Sequence, residues 1–198
     1  MISQCLKRRD SICGLSLSPM RMTFQRLAGA PDVADTILSI PHPYKYGMAE
    51  KWIGGHQFAF KNGTDVHFTV VKNDGNDLVG AISLMRVDQT HVHAKLGYLI
   101  GVPFWNRGFC TEAANAVLSY AFDELNLNRV WAHHVTRNPA SGRVMQKIGM
   151  QHEGCLRKHI RKASVFEDIE AYGILRSEWK TSAPQSSPAT KTVRQTRL

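Results

Sequence analysis

Residues 96–114, LGYLIGVPFWNRGFCTEAA, decide the fold, because they predict a hydrophobic strand, a short loop that contains a glycine, and the start of a helix. In a loop of this kind the glycine lets the backbone approach a ligand closely, and the positive end of the next helix favours negative charge. The backbone N–H groups that can face an anion belong to Arg107, Gly108, Phe109, Cys110 and Thr111. On its own, the stretch fits an anion-binding loop and an ordinary strand–turn–helix junction equally well.

A second unit of the same kind follows about thirty residues later, at 128–150: NRVWAHHVTRNPASGRVMQKIGM. It predicts a strand, a loop and another helix. Asn138 and Ser141 stand where this helix begins, and Pro139 suits a first helical position. Taken alone, both side chains are most simply N-terminal caps of the helix.

Together the two units resemble the GNAT superfamily of N-acetyltransferases, and most closely its RimJ/RimL-like branch. The resemblance rests on WNRGFCTEA, the Asn138-x-x-Ser141-x-Arg143 spacing, and KIGM followed by QHEG, and it extends over nearly the whole chain. It implies an α+β fold, with a mixed, largely antiparallel central sheet flanked by helices and splayed central strands that form an acetyl-CoA groove. Asn106 and Cys110 depart from the glycines and alanines of the family's loop. Asn tolerates left-handed backbone and Cys is small, so we expect the loop to persist.

The resemblance implies acetyl-CoA as the co-substrate and no metal. The pyrophosphate is expected on the loop 107–111, and the pantetheine arm between the strands at 97–101 and 131–135, where it would pair as an added strand. Backbone groups of Leu99 and Ile100 are expected to contact the pantetheine and the thioester, and a backbone N–H there would stabilise a developing oxyanion.

For catalysis, the resemblance points to Asn138, Ser141 and Asp168. Asn138 is expected to hold the pantetheine, and the Ser141 hydroxyl to help protonate the leaving thiolate. Asp168 matches a position that recurs in the branch and is expected to face the acceptor groove. Arg143 either adds positive charge near the phosphates or is a solvated helix arginine. The sequence does not determine the general base, because lysine-like and terminal amines differ by more than about two pKa units.

The composition bounds the organisation of the chain. Its 198 residues fit one domain, and 43% hydrophobic residues are enough for a substantial core. We predict an extension at 1–14 with no assigned role, an acetyltransferase domain at 15–180 and a basic, disordered tail at 181–198. No stretch is apolar over the roughly 18 to 20 residues of a membrane span, and no signal-peptide core is evident, so a cytoplasmic protein without membrane contact is expected.

The formal net charge of +9 raises the question of nucleic-acid binding. The internal basic group at 157–162 is predicted in a hairpin loop, where solvation is favoured over contact with an acidic substrate or RNA. Direct nucleic-acid binding is the weakest option, because no recognised motif accompanies the charge. The cysteines are predicted as free thiols, with Cys110 part of the loop rather than a nucleophile. His133 and His134 are consecutive in a strand and face opposite sides, which argues against a shared metal.

The coarse pattern of the chain predicts alternating helices and strands. Helices are expected up to about residue 38 and at 47–53, 111–125 and 140–148. Strands are expected at 15–17, 66–72, 78–86, 92–100, 130–135, 152–156 and 169–175, and residues 66–100 are expected to form an antiparallel meander with a turn at 73–77.

The favoured function is acetyl transfer from acetyl-CoA to a primary amine, most concretely the N-terminal amine of a protein of the ribosomal type. A small-molecule amine is the alternative acceptor, and the loops around 42–53 and 157–166 would decide between them. A different class of function is a non-catalytic acetyl-CoA-binding module. A homodimer is left open.

Overall fold

The computed structural model describes residues 5–8, 18–41, 43–72 and 77–182. The helices are α1 (Ser18–Gly29), α2 (Pro31–Thr36), α3 (Met48–Gly54), α4 (His56–Lys61), α5 (Phe109–Ser119), α6 (Pro139–Lys147) and α7 (Arg176–Ser182). The strands are β1 (Cys5–Arg8), β2 (Val66–Val71), β3 (Leu78–Asp88), β4 (His93–Ile100), β5 (Arg129–Val135), β6 (Gln151–Lys162) and β7 (Val165–Leu175). A short 3₁₀ turn, Val102–Phe104, follows β4, and a π-helical segment, Tyr120–Glu124, continues α5.

The strands form one mixed sheet in the order β1-β2-β3-β4-β5-β7-β6. All neighbours are antiparallel except β4 and β5, which run parallel. A parallel pair needs a crossover connection, and α5 provides it. The mixed, largely antiparallel sheet and the meander β2-β3-β4 confirm the predicted fold class.

Helices cover the sheet on both faces. The apolar side of α5 packs on one face, where its buried residues lie three and four positions apart as predicted: Ala113, Ala114, Val117 and Leu118. A second cluster, built from α1, α2 and α3, packs against the β2-β3-β4 side of the other face.

The structure changes part of the predicted secondary structure near the N-terminus. β1 lies in the segment 1–14 to which the sequence assigned no role, and it pairs with β2 as an edge strand. The predicted strand at 15–17 lies outside the described residues. The helix predicted up to about residue 38 divides at Ala30, and Pro31 begins α2. The turn residues 73–76 and the tail from residue 183 also lie outside the described residues. None of the described helices has the length and apolar character needed to cross a membrane.

The basic group at 157–162 lies in a strand, and the prediction of a hairpin loop there was wrong. β6 pairs with β7 as far as Lys162, and the turn follows at residues 163–164. The register shifts between Leu156 and Ile160, and Lys158 has a φ of +48°. This bulge interrupts the alternation of apolar and polar residues, and the sequence pattern therefore resembled a loop.

Candidate active site

The two parallel strands at the centre of the sheet separate after a short contact. β4 and β5 pair only at His93↔Arg129, Ala94↔Val130 and Lys95↔Trp131. Beyond Lys95, β4 runs on to Ile100 and β5 to Val135 with no pairing between them. The gap leaves backbone groups of both strands open to a ligand, and it is the splay that the sequence predicted.

Alternation along β4 decides which backbone groups face the gap. The Gly101 N–H donates to the Val79 carbonyl of β3 at 2.9 Å. Because successive residues of a strand turn their backbone groups to opposite sides, Leu99 also faces β3 and Ile100 faces the gap. The Ile100 carbonyl accepts the Trp105 indole N–H at 2.7 Å. Contact through the Ile100 N–H stays a prediction, whereas this alternation does not favour contact through the Leu99 backbone.

The loop after β4 has the backbone form of an anion cradle. Asn106 and Gly108 both lie in the left-handed region, with φ of +59° and +83°. The Glu112 N–H donates to the Gly108 carbonyl at 3.0 Å, so α5 starts here and the N–H groups of its first three residues have no acceptor within the helix. A Cβ at Gly108 would meet no atom within 4 Å. The loop therefore has open space beside the Cα of Gly108.

The side chains of the loop divide between anchoring and exposure. Phe109 is buried and packs edge-on against Phe104, with ring centroids 5.9 Å apart, which fixes the start of α5. Burial raises the pKa of the Cys110 thiol to about 12. A thiol of that pKa stays protonated at neutral pH, which agrees with a structural role rather than a nucleophilic one. Arg107 is exposed, and Thr111 is half-buried in the first turn of α5.

Ser141 lies against a residue that the sequence analysis missed. The Tyr98 hydroxyl, on β4, lies 2.8 Å from the Ser141 Oγ and also donates to the Ser141 carbonyl at 3.1 Å. Burial raises the pKa of Tyr98 far above its usual value, so the phenol is protonated. A tyrosine in the apolar run 96–100 was the available signal, because a buried hydroxyl needs a partner.

Asn138 caps α6. Its Oδ1 accepts the Ser141 N–H at 3.3 Å, which confirms the capping alternative for this side chain. The Ser141 hydroxyl faces Tyr98 instead. Arg143, two residues further along α6, is exposed. The helix start therefore places one cap and one hydroxyl beside β4, at the side of the gap where α6 packs.

Asp168 holds the bulge of β6. Its Oδ1 accepts the Lys158 N–H at 2.7 Å, and its carbonyl accepts the Thr136 N–H at 3.0 Å. Asp168 also lines an open cavity of about 640 Å³, together with Cys155, Leu156, Arg157, Lys158 and His159. The carboxylate thus lies at a cavity, as an acceptor-site residue would, and it also has a structural task.

The β6–β7 hairpin is tied to α2 by two basic residues. Arg137, just after β5, forms ion pairs with Asp35 of α2 and with Glu167 of β7. The Lys162 ammonium donates to the carbonyls of Ala34, Ile37 and Ile40 at the C-terminal end of α2. These contacts join the predicted acceptor segment at 157–166 to residues 34–40, which precede the other predicted segment at 42–53.

His133 and His134 face opposite sides of β5, as predicted. The buried His134 Nδ1 donates to the Val135 carbonyl at 2.8 Å, and a Cβ at Gly142 would lie 2.7 Å from its Nε2. The tight contact fixes α6 against β5. His133 faces the other side, where its Nε2 lies 3.1 Å from the Lys95 Nζ.

Comparisons with known proteins agree with this geometry. The family model described as the acetyltransferase (GNAT) domain matches residues 17–151. The uncharacterized N-acetyltransferase YnaD of Bacillus subtilis is 38% identical over 112 residues, which is 57% of this chain and 65% of that protein. The putative ribosomal N-acetyltransferase YdaF of Bacillus subtilis is 33% identical over 150 residues, which is 76% of this chain and 75% of that protein.

The spermidine N(1)-acetyltransferase of Vibrio cholerae is more distant, at 26% identity over 110 residues, 56% of this chain and 64% of that protein. Several of the similar curated proteins, YnaD among them, are matched over slightly less than two thirds of their length. Among solved structures, spermidine N-acetyltransferase from Vibrio cholerae in complex with CoA and spermine has a TM-score of 0.74 at 19% identity, and the match covers 89% of this chain and 98% of that chain. A likeness at that identity shows the fold.

Proposed function

The chain belongs to the GNAT acetyltransferase family, and from that premise we propose that it transfers the acetyl group of acetyl-CoA to a primary amine. The observation that carries the proposal is the gap between β4 and β5, which opens after Lys95–Trp131 and leads towards the left-handed loop before α5. A groove of open strand edges suits an extended amide chain, and the N-terminus of α5 suits a pyrophosphate.

The residues present fit acetyl-CoA. The first-turn N–H groups of α5 and the open space at Gly108 would hold the pyrophosphate, with Arg107 and Arg143 adding positive charge near it. The open edges of β4 and β5 would pair with the pantetheine amides. When bound there, acetyl-CoA supplies an acetyl group already activated as a thioester.

The chain's own groups then handle charge and protons. The Ile100 N–H faces the gap and would polarise the thioester carbonyl, a contribution of roughly 3 kcal/mol by analogy with other oxyanion donors. Ser141 would protonate the departing thiolate and regain a proton from the attacking amine, while the Tyr98 phenol, which stays protonated 2.8 Å away, would hold the Ser141 Oγ in position. Asn138 fixes this serine by capping its N–H.

For the acceptor, we propose the N-terminal amine of a protein, because the YdaF similarity covers three quarters of both chains. A small amine is the second candidate, and the similarity to a spermidine acetyltransferase supports it. The sequence does not determine the general base, and we propose Asp168 for that role because its carboxylate lines the cavity on the β6–β7 side. A non-catalytic acetyl-CoA-binding module would show binding without turnover.

The test combines acetyl-CoA with a panel of N-terminal peptides, amino acids and polyamines, and measures the release of CoA thiol. We expect acetyl-CoA to raise the Tm, because it binds the folded chain only, and at least one amine class to release thiol. Absence of a Tm shift at millimolar acetyl-CoA would contradict the proposal. A shift without turnover on any amine would leave the binding module as the function.

A further inference from the structure

A group of basic and aromatic side chains lies at the inner end of the gap, on the face of the sheet opposite Ser141. The Lys95 Nζ lies 3.1 Å from the His133 Nε2 and 5.6 Å from the centre of the Trp131 ring, and the Trp131 and His133 rings are 5.9 Å apart. Arg86 follows Met85, the β3 partner of Lys95, and lowers the pKa of both Lys95 and His133, and His159 lowers the pKa of His133 as well. We call Lys95, Arg86, His133 and His159 the basic cluster.

The charge of this cluster is not balanced. Lys95 is half-buried, and burial first and Arg86 second lower its pKa. The ion pairs of the described residues give Lys95 no carboxylate partner. Glu153 lies close to Gly173, the β7 residue that pairs with Trp131. Both oxygens of Glu153 already accept hydrogen bonds from Arg129. A partly desolvated ammonium beside another basic side chain therefore lacks the compensation that an anionic partner would give.

His133 is neutral and holds Lys95 in place. Burial lowers its pKa to about 4, and the next contributions come from Lys95, Arg86, His159 and His134, all of them basic. At neutral pH its Nε2 therefore accepts a hydrogen bond from the Lys95 ammonium. The ring directs this cation without cancelling its charge.

The position of the cluster relates it to the acceptor rather than to CoA. Lys95 and Trp131 are the last paired residues before β4 and β5 separate, so they lie where the gap ends. Tyr98 and Ser141 meet on the face covered by α5 and α6, whereas Lys95 and His133 are half-buried on the opposite face, which we call the open side. His159, which acts electrostatically on His133, also lines the open cavity beside Asp168.

We propose that the acceptor is a primary amine that carries a carboxylate, and that Lys95, with Arg86 and His159, binds this carboxylate on the open side of the gap. This inference rests on the proposed acetyl transfer, and it specifies the acceptor class. The carboxylate supplies the anion that Lys95 lacks, and a charge-assisted hydrogen bond to an ammonium is among the stronger polar contacts. A polyamine would instead bring further ammonium groups against the cluster, and it is disfavoured as the acceptor.

The experiment compares acceptors that differ only in this charge. The pairs are a free amino acid with its carboxamide, and a peptide that begins Ser-Glu with its Ser-Gln counterpart; spermidine is the cationic probe. We expect kcat/KM to be about tenfold higher for the carboxylate member, as one charged hydrogen bond would give. The two pairs distinguish a terminal carboxylate from an acidic side chain as its source.

Substitution of Lys95 tests whether the basic cluster causes the preference for acceptors that carry a carboxylate. Lys95→Gln should reduce the ratio of kcat/KM between the carboxylate acceptor and its neutral counterpart to about one. The change should come mainly from KM for the acceptor, with KM for acetyl-CoA unchanged. Lys95→Glu should reverse the preference towards spermidine. Lys61→Gln, on the exposed end of α4, removes the same charge elsewhere and should leave the preference unaltered. If the Lys95 variants do not fold, His159→Gln on the exposed bulge of β6 should lower the preference in part.

Equal kcat/KM for the members of both pairs, or a preference that survives in folded Lys95→Gln, would overturn the carboxylate site. The Tm shift of each acceptor, measured in the presence of CoA, separates this result from a failure of the proposed function. If no amine is turned over, that result contradicts the proposed acetyl transfer and does not by itself contradict the carboxylate site. A larger shift with the carboxylate members would still support the site, and equal shifts would contradict it.

Discussion

The two sides of the gap between β4 and β5 differ in chemistry. On the α6 side, the neutral hydroxyls of Tyr98 and Ser141 lie 2.8 Å apart in a buried setting. On the open side, the Lys95 ammonium is hydrogen-bonded to the neutral His133 and has no carboxylate paired to it among the described residues. One side is suited to returning a proton to a leaving group, and the other to attracting an anionic substrate. A single break in strand pairing therefore separates two tasks.

The largest expected effect is on acetyl-CoA binding at the loop before α5. Gly108→Asp places a negative charge where the pyrophosphate would bind and forces a side chain to adopt a φ of +83°. A like charge at about 4 Å costs roughly 4 kcal/mol near a protein surface, so the Kd for acetyl-CoA should rise by about a hundredfold or more, as titration calorimetry would record. Gly63→Asp is the matched control, because Gly63 has a φ of +67° and equally open surroundings, away from the loop. Equal Kd values for the two variants would contradict the hypothesis that this loop binds the pyrophosphate.

The next effect concerns the hydroxyl pair. Ser141→Ala should lower kcat by roughly ten- to a hundredfold, as loss of a positioned proton donor does, with KM for acetyl-CoA little changed. Ser119→Ala removes another serine hydroxyl, one that bonds Asp123 on the surface, and should retain full turnover. If Ser141→Ala matches this control after correction for folded fraction, the serine has no part in proton transfer.

The smallest effect concerns the cap beneath this pair. Asn138→Ala should lower the free energy of unfolding by about 1 kcal/mol, because the Ser141 N–H loses its acceptor. It should also weaken acetyl-CoA binding, since the start of α6 is then less fixed. Chemical denaturation measures the first effect, and Asn138→Ser, which keeps a capping oxygen, should restore most of it. A folded Asn138→Ala protein with unchanged stability would contradict the cap.

The same contrast explains what the sequence could predict. The fold could be predicted because its signals are local: strand, loop and helix follow one another at 96–114 and again at 128–150. The same runs carry the loop at 107–111 and Ser141, whose roles stay predictions. The prediction that Asn106 would accept left-handed backbone was also correct, with a φ of +59°.

The open side depends on pairings that no short motif shows. Lys95 meets His133 because β4 and β5 are parallel neighbours for three residues, although the two side chains are 38 positions apart in the chain. The bulge near Lys158 made part of β6 resemble a loop, and the ties from Lys162 to α2 join segments more than 120 residues apart. Tyr98 was missed because its position in an apolar strand favoured a core role.

The measurement that tests the central claim most directly is hydrogen exchange of backbone amides with and without acetyl-CoA. The account predicts slower exchange in β4 beyond Lys95, above all at the Ile100 N–H, and in the first turn of α5, with β2 unchanged as the internal control. Pairing with a ligand is the cause, because these N–H groups face the gap or lack a helical acceptor. Unchanged exchange along β4 and α5 at saturating acetyl-CoA, or protection confined to other strands, would contradict it.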